Sequence, residues 1–356
     1  MKPQSVVLLV TPKMIPDFAN PEPAIAGFFQ NYNSLTSRAA ETIVIFAVGN
    51  SDHILSYAGR EYWSDTVEWA RTTDFVPVSE RTLTYADIDR IAKAFRAEAT
   101  ALGLNVRLFE HIDSGGEFTV SNVFKYSLHP ECTANKWGMF DIRARLQADV
   151  MHYATSPGGI PEGKQCGEFL ADQVATYVHD FGFDGILFDN QLGTRGRWRP
   201  GDGPGYSVQE ASAIRAFFEY TKNVLAGASL MWFDSYNPVS IERDTFSVPA
   251  DAYGYFDYLI ASGFCAVSAE QYPDNLRSKI DLDNLSRVLA TLDYVDPWYS
   301  YSSMSDHRVC SEKLEKVAVD RRYEIDGVMF FANDRDGRLV PRAIVDAFAS
   351  RFFAPR

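Results

Sequence analysis

Acidic and amide side chains recur where short apolar runs of this chain end. Asp189, Asn190 and Gln191 follow one run, and Asp234 ends another. A pair of carboxyl groups can cleave a glycosidic bond: one protonates the leaving oxygen, and the other attacks or activates water from roughly 5 to 9.5 Å away. Further polar residues lie at or just beyond the ends of these and other runs: Glu110, His111, Asp113, Ser235, Tyr236, Asn237, Asp293, Asp296, Asn333 and Asp334, with Glu270 in a later loop.

A structural role is the alternative for each of these acids, because Asp at the end of a strand often caps a helix or holds a turn. Because several of these acids lie at the ends of strands, a catalytic role is favoured for the group. Asp184 is different, because it precedes Gly185 at the amino end of a predicted strand. That end of a parallel barrel is associated with stability, so we predict a structural role for Asp184.

Eight apolar, β-branched runs position these residues. They alternate with amphipathic helical stretches, the pattern of parallel strands that are buried on both faces. Eight such units without a break in composition predict one α/β domain over residues 1–356, a single (β/α)8 TIM barrel rather than an open sheet. The predicted strands are 6–10, 43–48, 106–111, 185–190, 230–234, 258–262, 288–293 and 327–332.

Two helices are predicted with definite ends. One runs over 207–226 and is closed by Gly227; the other begins after Thr84 and is closed by Gly103. Two segments exceed a minimal barrel, at about 51–80 and 113–167, and we expect them to be long insertions in the βα loops. The run 149–154 resembles a ninth strand, but the turn and proline that follow favour a loop.

Strand alternation indicates which strand-end residues share a face. Leu187, Asp189 and Gln191 fall on one face of the fourth strand, and Trp232 and Asp234 fall on one face of the fifth. In a barrel, catalytic side chains lie at the carboxyl ends of the strands. We therefore expect Asp189 and Asp234 to project from neighbouring strands into one mouth.

Charge and spacing argue against several other functions. The net charge of −13 lacks the basic clusters that nucleic acid or an anionic membrane requires. No run reaches transmembrane length, so we expect a soluble chain that is cytoplasmic, or secreted with its leader removed. The histidines and cysteines show no zinc spacing, and no phosphate or dinucleotide loop is present, so no cofactor is expected. The oligomeric state stays open.

Aromatic residues form 14% of the chain and several fall in predicted rim loops, where they can stack on the apolar face of a sugar. Trp298 is the favoured platform. The alternative role for Trp232 is to pack inside the barrel. The candidates are Trp137, Trp198, Trp232, Tyr236, Trp298, Tyr299 and Tyr301.

Two segments carry a family resemblance. Residues 183–191, Phe-Asp-Gly-Ile-Leu-Phe-Asp-Asn-Gln, resemble the strand-four signature of barrel glycosidases in the chitinase and endo-β-N-acetylglucosaminidase group. Residues 231–235, Met-Trp-Phe-Asp-Ser, resemble the strand-five Trp-Tyr-Asp-Ser of the endo-β-N-acetylglucosaminidases. Gln191 stands where that group has its proton-donating Glu. The fucosidase-like and galactosidase-like barrels, with a strand-four Asp nucleophile, are the closer mechanistic analogue.

The resemblance implies a glycoside hydrolase whose partner is a carbohydrate. Under it Asp189 attacks, Asp234 orients or stabilises, and Glu270 protonates, with Glu242 as the reserve acid. A catalytically inactive carbohydrate-binding barrel and a metal-dependent barrel enzyme, which a single Ca²⁺ or Mg²⁺ would serve, are the alternatives. The predicted substrate contacts are Glu110, His111, Asn190, Gln191, Trp232, Tyr236, Asn237, Asp293, Trp298 and Asp334.

Overall fold

The computed structural model describes part of the chain. The described ranges are 4–46, 54–56, 82–112, 178–189, 208–234, 250–261, 288–291, 325–333 and 337–353, together with helical residues 168, 171, 174 and 175. Within them, no helix combines the length and the hydropathy that crossing a bilayer requires.

Eight parallel strands form a closed barrel in which each strand pairs with its chain neighbours and the last pairs with the first. All eight predicted strands, and with them the barrel fold, are confirmed, with ends that move by one or two residues. The strands are β1 (Ser5–Val10), β2 (Glu41–Phe46), β3 (Val106–Ile112), β4 (Gly185–Asp189), β5 (Ser229–Asp234), β6 (Tyr258–Ala261), β7 (Val288–Thr291) and β8 (Ile325–Phe331).

The strands are buried on both faces, as their near-continuous apolar sequences predict. One face points into the barrel and forms the inner cluster, to which Val7, Leu9, Ile43, Ile45, Phe109, Leu187, Met231, Phe233, Tyr258, Ile260 and Met329 belong. The other face packs under the helices in a larger outer cluster, which includes Val6, Leu8 and Ile186. Membership of these two clusters tells on which side of the barrel wall a strand residue lies.

The described helices are α1 (Glu22–Thr36), α2 (Tyr85–Ala101), α3 (Val208–Val224) and α4 (Arg342–Phe352), with short 3-10 turns at Pro12–Met14 and Ala250–Tyr255. Both predicted helices are confirmed as α2 and α3. Gly103 and Gly227 follow them with positive φ angles of 66° and 102°, as expected for residues that end a helix.

A small parallel sheet pairs Ile54–Ser56, inside the first predicted insertion, with Thr82–Thr84, which follows that insertion. Residues 57–81 and 113–167, with the run 149–154, lie outside the described residues. The predicted extent of both insertions therefore stays a prediction.

A polar network closes the amino-terminal end of the barrel. Arg107 donates from Nη1 to the Tyr258 hydroxyl at 2.6 Å and from Nη2 to Ser229 Oγ at 2.8 Å. Glu41 Oε1 lies 3.9 Å from Arg107 Nη1, and Glu41 Oε2 accepts from Ser5 Oγ at 3.2 Å. These five side chains form the amino-end network, which lies at the end of the barrel opposite the predicted chemistry.

Asp184 anchors the start of β4 to its neighbours on both sides. Its Oδ2 accepts from the Leu108 N–H at 2.8 Å and from Arg96 Nη2 at 3.1 Å. Its carbonyl accepts from the Ser229 N–H at 2.9 Å. These contacts join β3, β4, β5 and α2, and they confirm the structural role that the sequence predicts for Asp184.

Candidate active site

The carboxyl ends of the strands enclose a mouth with an aromatic floor. Phe233 of β5 and Phe331 of β8 meet across the barrel interior, edge to face, with ring centroids 6.4 Å apart. Phe233 is 8% exposed and Phe331 is partly exposed, so the two rings form the top of the inner cluster. A ligand in the mouth therefore has an apolar surface beneath it.

Asp189 stands at the rim of this mouth. It is the last residue of β4, and its Cα is paired with that of Phe233 on β5. Leu187, two residues earlier, belongs to the inner cluster, so strand alternation places Asp189 on the inward face. The structure describes the backbone of Asp189 and not its side chain.

His111 lies on the same side of the barrel wall. It follows Phe109, a member of the inner cluster, by two residues, and its Cα is paired with that of Leu187. Its side chain is 2% exposed. Strand spacing and rise place the Cα atoms of His111 and Asp189 about 8 Å apart, on the same face of neighbouring strands.

Glu110 lies on the other side of the wall. It is completely buried, and its Cα is paired with those of Phe46 and Ile186, which both belong to the outer cluster. Alternation puts Glu110 on that helix-facing side. The expectation that it contacts a ligand in the mouth is therefore corrected, because the strand turns this residue toward the helices.

Trp232 is corrected for the same reason. It is completely buried in the outer cluster, where it stacks on Phe256 at 5.4 Å and meets the edge of Phe218 of α3 at 5.6 Å. A ring enclosed in this way offers no platform to a sugar. The packing alternative is the one the structure supports, although on the helix side of the wall rather than inside the barrel.

Asp234 shares the strand face of Trp232, so alternation places it on the opposite face from Asp189. Its Cα is paired with that of Ala261, and strand geometry puts it about 6 Å from the Cα of Asp189. The two acids are close along neighbouring strands but are not on one face. The structure describes the backbone of Asp234 alone, so its place in the mouth stays a prediction.

The remaining candidates lie outside the described residues, and their roles stay predictions. Of the catalytic acids these are Glu270 and the reserve Glu242. The contacts and platforms in this group are Asn190, Gln191, Tyr236, Asn237, Asp293, Trp298 and Asp334, with Trp137, Trp198, Tyr299 and Tyr301.

A pair of residues at the rim was not predicted from the sequence as part of the site. The Thr11 N–H donates to Asn333 Oδ1 at 2.8 Å, and Asn333 Nδ2 donates to Thr11 Oγ1 at 2.8 Å. Asn333 is 1% exposed and Thr11 is partly exposed. Asn333 was noted as a strand-end residue but not as a site residue. The same end-of-strand rule applied to the first strand would have found Thr11, which directly follows Val10.

In the part of the chain that the structure describes, no three His, Cys, Asp or Glu side chains come close enough together to hold a metal ion.

No family model matches the chain, and no curated protein sequence does. Solved barrels do resemble it in fold. The C-terminal domain of a putative chitinase from Desulfitobacterium hafniense DCB-2 aligns with a TM-score of 0.51 and 10% identity, covering 98% of each chain.

Two further structures align less closely. The GH20 catalytic modules of the pneumococcal exo-β-D-N-acetylglucosaminidase StrH have a TM-score of 0.47 and 10% identity, over 98% of this chain and 82% of that one. A Rubisco-like protein from Rhodopseudomonas palustris has a TM-score of 0.41 and 8% identity, over 99% and 64%. At these identities the likeness extends to the fold alone.

Proposed function

We propose that this chain is a glycoside hydrolase that cleaves an oligo- or polysaccharide in the mouth of the barrel, with Asp189 as its central carboxylate. One observation carries the proposal: Asp189 ends β4 on the inward face, beside the aromatic floor of Phe233 and Phe331. Such a floor accepts the apolar C–H face of a sugar ring, while a carboxylate at the rim reaches the glycosidic carbon.

The proposed reaction is a double displacement. Asp189 attacks the anomeric carbon while Glu270 protonates the leaving glycosidic oxygen, and a glycosyl-enzyme ester forms. Glu270, now a carboxylate, then removes a proton from the water that hydrolyses the ester. Asp234 orients the sugar or stabilises the developing positive charge, a role that does not require it to share a face with Asp189.

The substrate contacts are proposed for the same mouth. His111 is the described contact candidate that shares the inward face with Asp189. Glu110 and Trp232 support the strand ends from the helix side and are not proposed as contacts. The others are Asn190, Gln191, Tyr236, Asn237, Asp293, Trp298 and Asp334.

The decisive test compares two aspartates at opposite ends of β4. Asp189→Asn should lower the release of reducing sugar at least about a hundredfold, because an amide is a poor nucleophile and base. Asp184→Asn is the matched control, with the same substitution on the same strand; we expect it to lower the melting temperature and to keep kcat. Substrates should include β-linked N-acetylglucosamine oligomers and fucosylated and galactosylated oligosaccharides.

Retained hydrolysis by Asp189→Asn would exclude Asp189 as the nucleophile. Loss of the folded state in this variant, seen by circular dichroism, would show instead that Asp189 is structural. Retention of anomeric configuration in the product, followed by NMR, is expected for a double displacement, and inversion would contradict it.

Gln191 favours a second candidate function, a carbohydrate-binding barrel without catalysis, because an amide cannot donate the proton that the resembling group obtains from Glu. Calorimetry with the same oligosaccharides would then show binding without hydrolysis. In that case the affinity would change little in Asp189→Asn.

A further inference from the structure

Thr11 and Asn333 face each other on the inward side of the rim. Leu9 of β1 and Phe331 of β8 are paired Cα to Cα, and Thr11 and Asn333 each follow two residues later. Because Leu9 belongs to the inner cluster and Phe331 packs against it, alternation places the pair above them on the inward face. β4 and β8 are four strands apart in the closed ring of eight, so the pair lies across the mouth from Asp189.

The orientation of the Asn333 amide follows from its partners. The backbone N–H of Thr11 is only a donor, so the atom that it meets at 2.8 Å must be the amide oxygen. The amide nitrogen then faces Thr11 Oγ1, also at 2.8 Å, and donates to it. Thr11 Oγ1 is therefore an acceptor in this pair, and its own proton is directed elsewhere.

No described residue accepts that proton. Thr11 precedes the 3-10 turn Pro12–Met14, where a threonine commonly caps, but its side chain makes no capping hydrogen bond. Thr11 is partly exposed, whereas Asn333 beneath it is almost completely buried. The buried Asn333 amide thus holds the Thr11 hydroxyl in a fixed orientation, in which the hydroxyl can donate its proton to another group.

Hydrogen bonds and close packing hold the surrounding rim in place. The Tyr32 hydroxyl of α1 donates to the Ala332 carbonyl at 2.5 Å and accepts from the Val340 N–H at 3.3 Å. Asn31 Nδ2 donates to the Val340 carbonyl at 2.9 Å. Gly337, at a φ of 83°, lies so close to the Lys13 carbonyl that a Cβ would overlap it. Contacts of this kind hold a binding group in place before its ligand arrives, which lowers the entropic cost of binding.

We infer that the Thr11 hydroxyl donates a hydrogen bond to an oxygen of the sugar bound in the mouth, and that Asn333 is the positioning residue that gives the hydroxyl this direction. The inference deepens the proposed function, since it takes the ligand to be a carbohydrate. It does not require that the carbohydrate be cleaved.

Four variants test this inference. Thr11→Val keeps the shape and removes the hydroxyl, while Thr11→Ser keeps the donor. Asn333→Asp replaces the amide donor by a carboxylate that accepts from Thr11 Oγ, so the hydroxyl proton turns away from the mouth. Asn31→Ala removes a rim contact that does not touch Thr11, and it is the control for loss of stability.

We expect Thr11→Val and Asn333→Asp each to raise KM about two- to tenfold, the range for loss of one neutral hydrogen bond, with kcat retained. Thr11→Ser should restore the KM. The double variant Thr11→Val/Asn333→Asp should bind no more weakly than Thr11→Val, because Asn333 acts through the hydroxyl that is already absent. KM is measured on the oligosaccharide of the screen above that is cleaved fastest, with melting temperatures for every variant.

An unchanged KM in Thr11→Val overturns the inference while leaving the hydrolase proposal intact. Additive effects in the double variant, or a KM rise in Asn31→Ala at an equal loss of melting temperature, also overturn it. If no oligosaccharide is cleaved, Kd values from calorimetry on the same panel replace KM. A higher Kd in Thr11→Val would then support the inference and refute the hydrolase proposal. Absence of any binding would overturn both.

Discussion

Gly185 offers the sharpest test of how this barrel is packed. It opens β4 inside the Phe-Asp-Gly sequence, and a Cβ added there would lie 2.5 Å from the Ser229 carbonyl oxygen and 2.6 Å from Phe109 Cε2. Real Cβ atoms essentially never come this close to other heavy atoms. We therefore expect Gly185→Ala to destabilise the barrel, although a strand usually tolerates alanine better than glycine.

The expected magnitude follows from two opposing effects. Overpacking a core with one methyl group costs about 1–3 kcal/mol, and here the upper value applies because one of the two overlapping groups is backbone between paired strands. The Phe109 ring cannot easily yield either, since it is fully buried and packs edge to face on Tyr258 at 5.9 Å. Alanine recovers up to about 1 kcal/mol by restricting the unfolded chain, which leaves a net loss of about 2 kcal/mol.

Urea denaturation followed by tryptophan fluorescence measures the loss, with Gly27→Ala as the matched control. Gly27 lies in α1 with nothing within 4 Å of its added Cβ, so that substitution should be neutral or stabilising by up to about 1 kcal/mol. In a Phe109→Leu background, which lacks the overlapping ring atoms, Gly185→Ala should cost only about 1 kcal/mol. A Gly185→Ala protein as stable as the parent, or the same loss in both backgrounds, would refute this account of the motif.

Three further substitutions test individual contacts that hold the barrel together. The N–H of buried Leu230 donates to Asp257 Oδ2 at 2.8 Å. Asp257→Ala removes this acceptor and should lower the free energy of unfolding, measured by urea titration, by about 1–3 kcal/mol. An unchanged free energy would mean that another group replaces the carboxylate. Tyr258→Phe removes the acceptor of Arg107 at 2.6 Å and should lower stability by about 1.5 kcal/mol with kcat unchanged, since the amino-end network is remote from the mouth; a change in kcat would contradict that separation. Trp232→Phe should lower the free energy of unfolding by about 1–2 kcal/mol, because it loses packing in the outer cluster, and should leave the glycan affinity unchanged. A clear fall in the affinity of the folded variant, measured by calorimetry, would show that Trp232 contacts the ligand.

The strands were predictable because the evidence for them is local. Short β-branched runs such as 6–10 and 327–332 stand between amphipathic helices, and eight such units leave few topologies that bury all of them. The helix ends were predictable for the same reason, since Gly103 and Gly227 have the positive φ that closes a helix. Asp184 was assigned to stability from its place at the amino end of a strand, and its contacts with Leu108 and Arg96 agree.

The site was less predictable, because a polar residue at the end of a strand can face either the mouth or the helices. The register turns His111 and Asp189 inward and Glu110 and Trp232 toward the helices. Thr11 was overlooked because it is neither acidic nor aromatic. Its significance lies in a contact with Asn333, 322 positions away in the chain.

The sequence by itself determined the barrel, its strand order and the residues that share a strand face. Only the tertiary structure decided which face is inside. In a closed parallel barrel both faces of every strand are apolar, one against the interior and one against the helices, so alternation separates two sets of residues without telling which set meets the mouth. Packing settles that choice, because one set of side chains forms the inner cluster and the other set packs under the helices. Pairing of the first and last strands also joins their ends into the rim that faces Asp189.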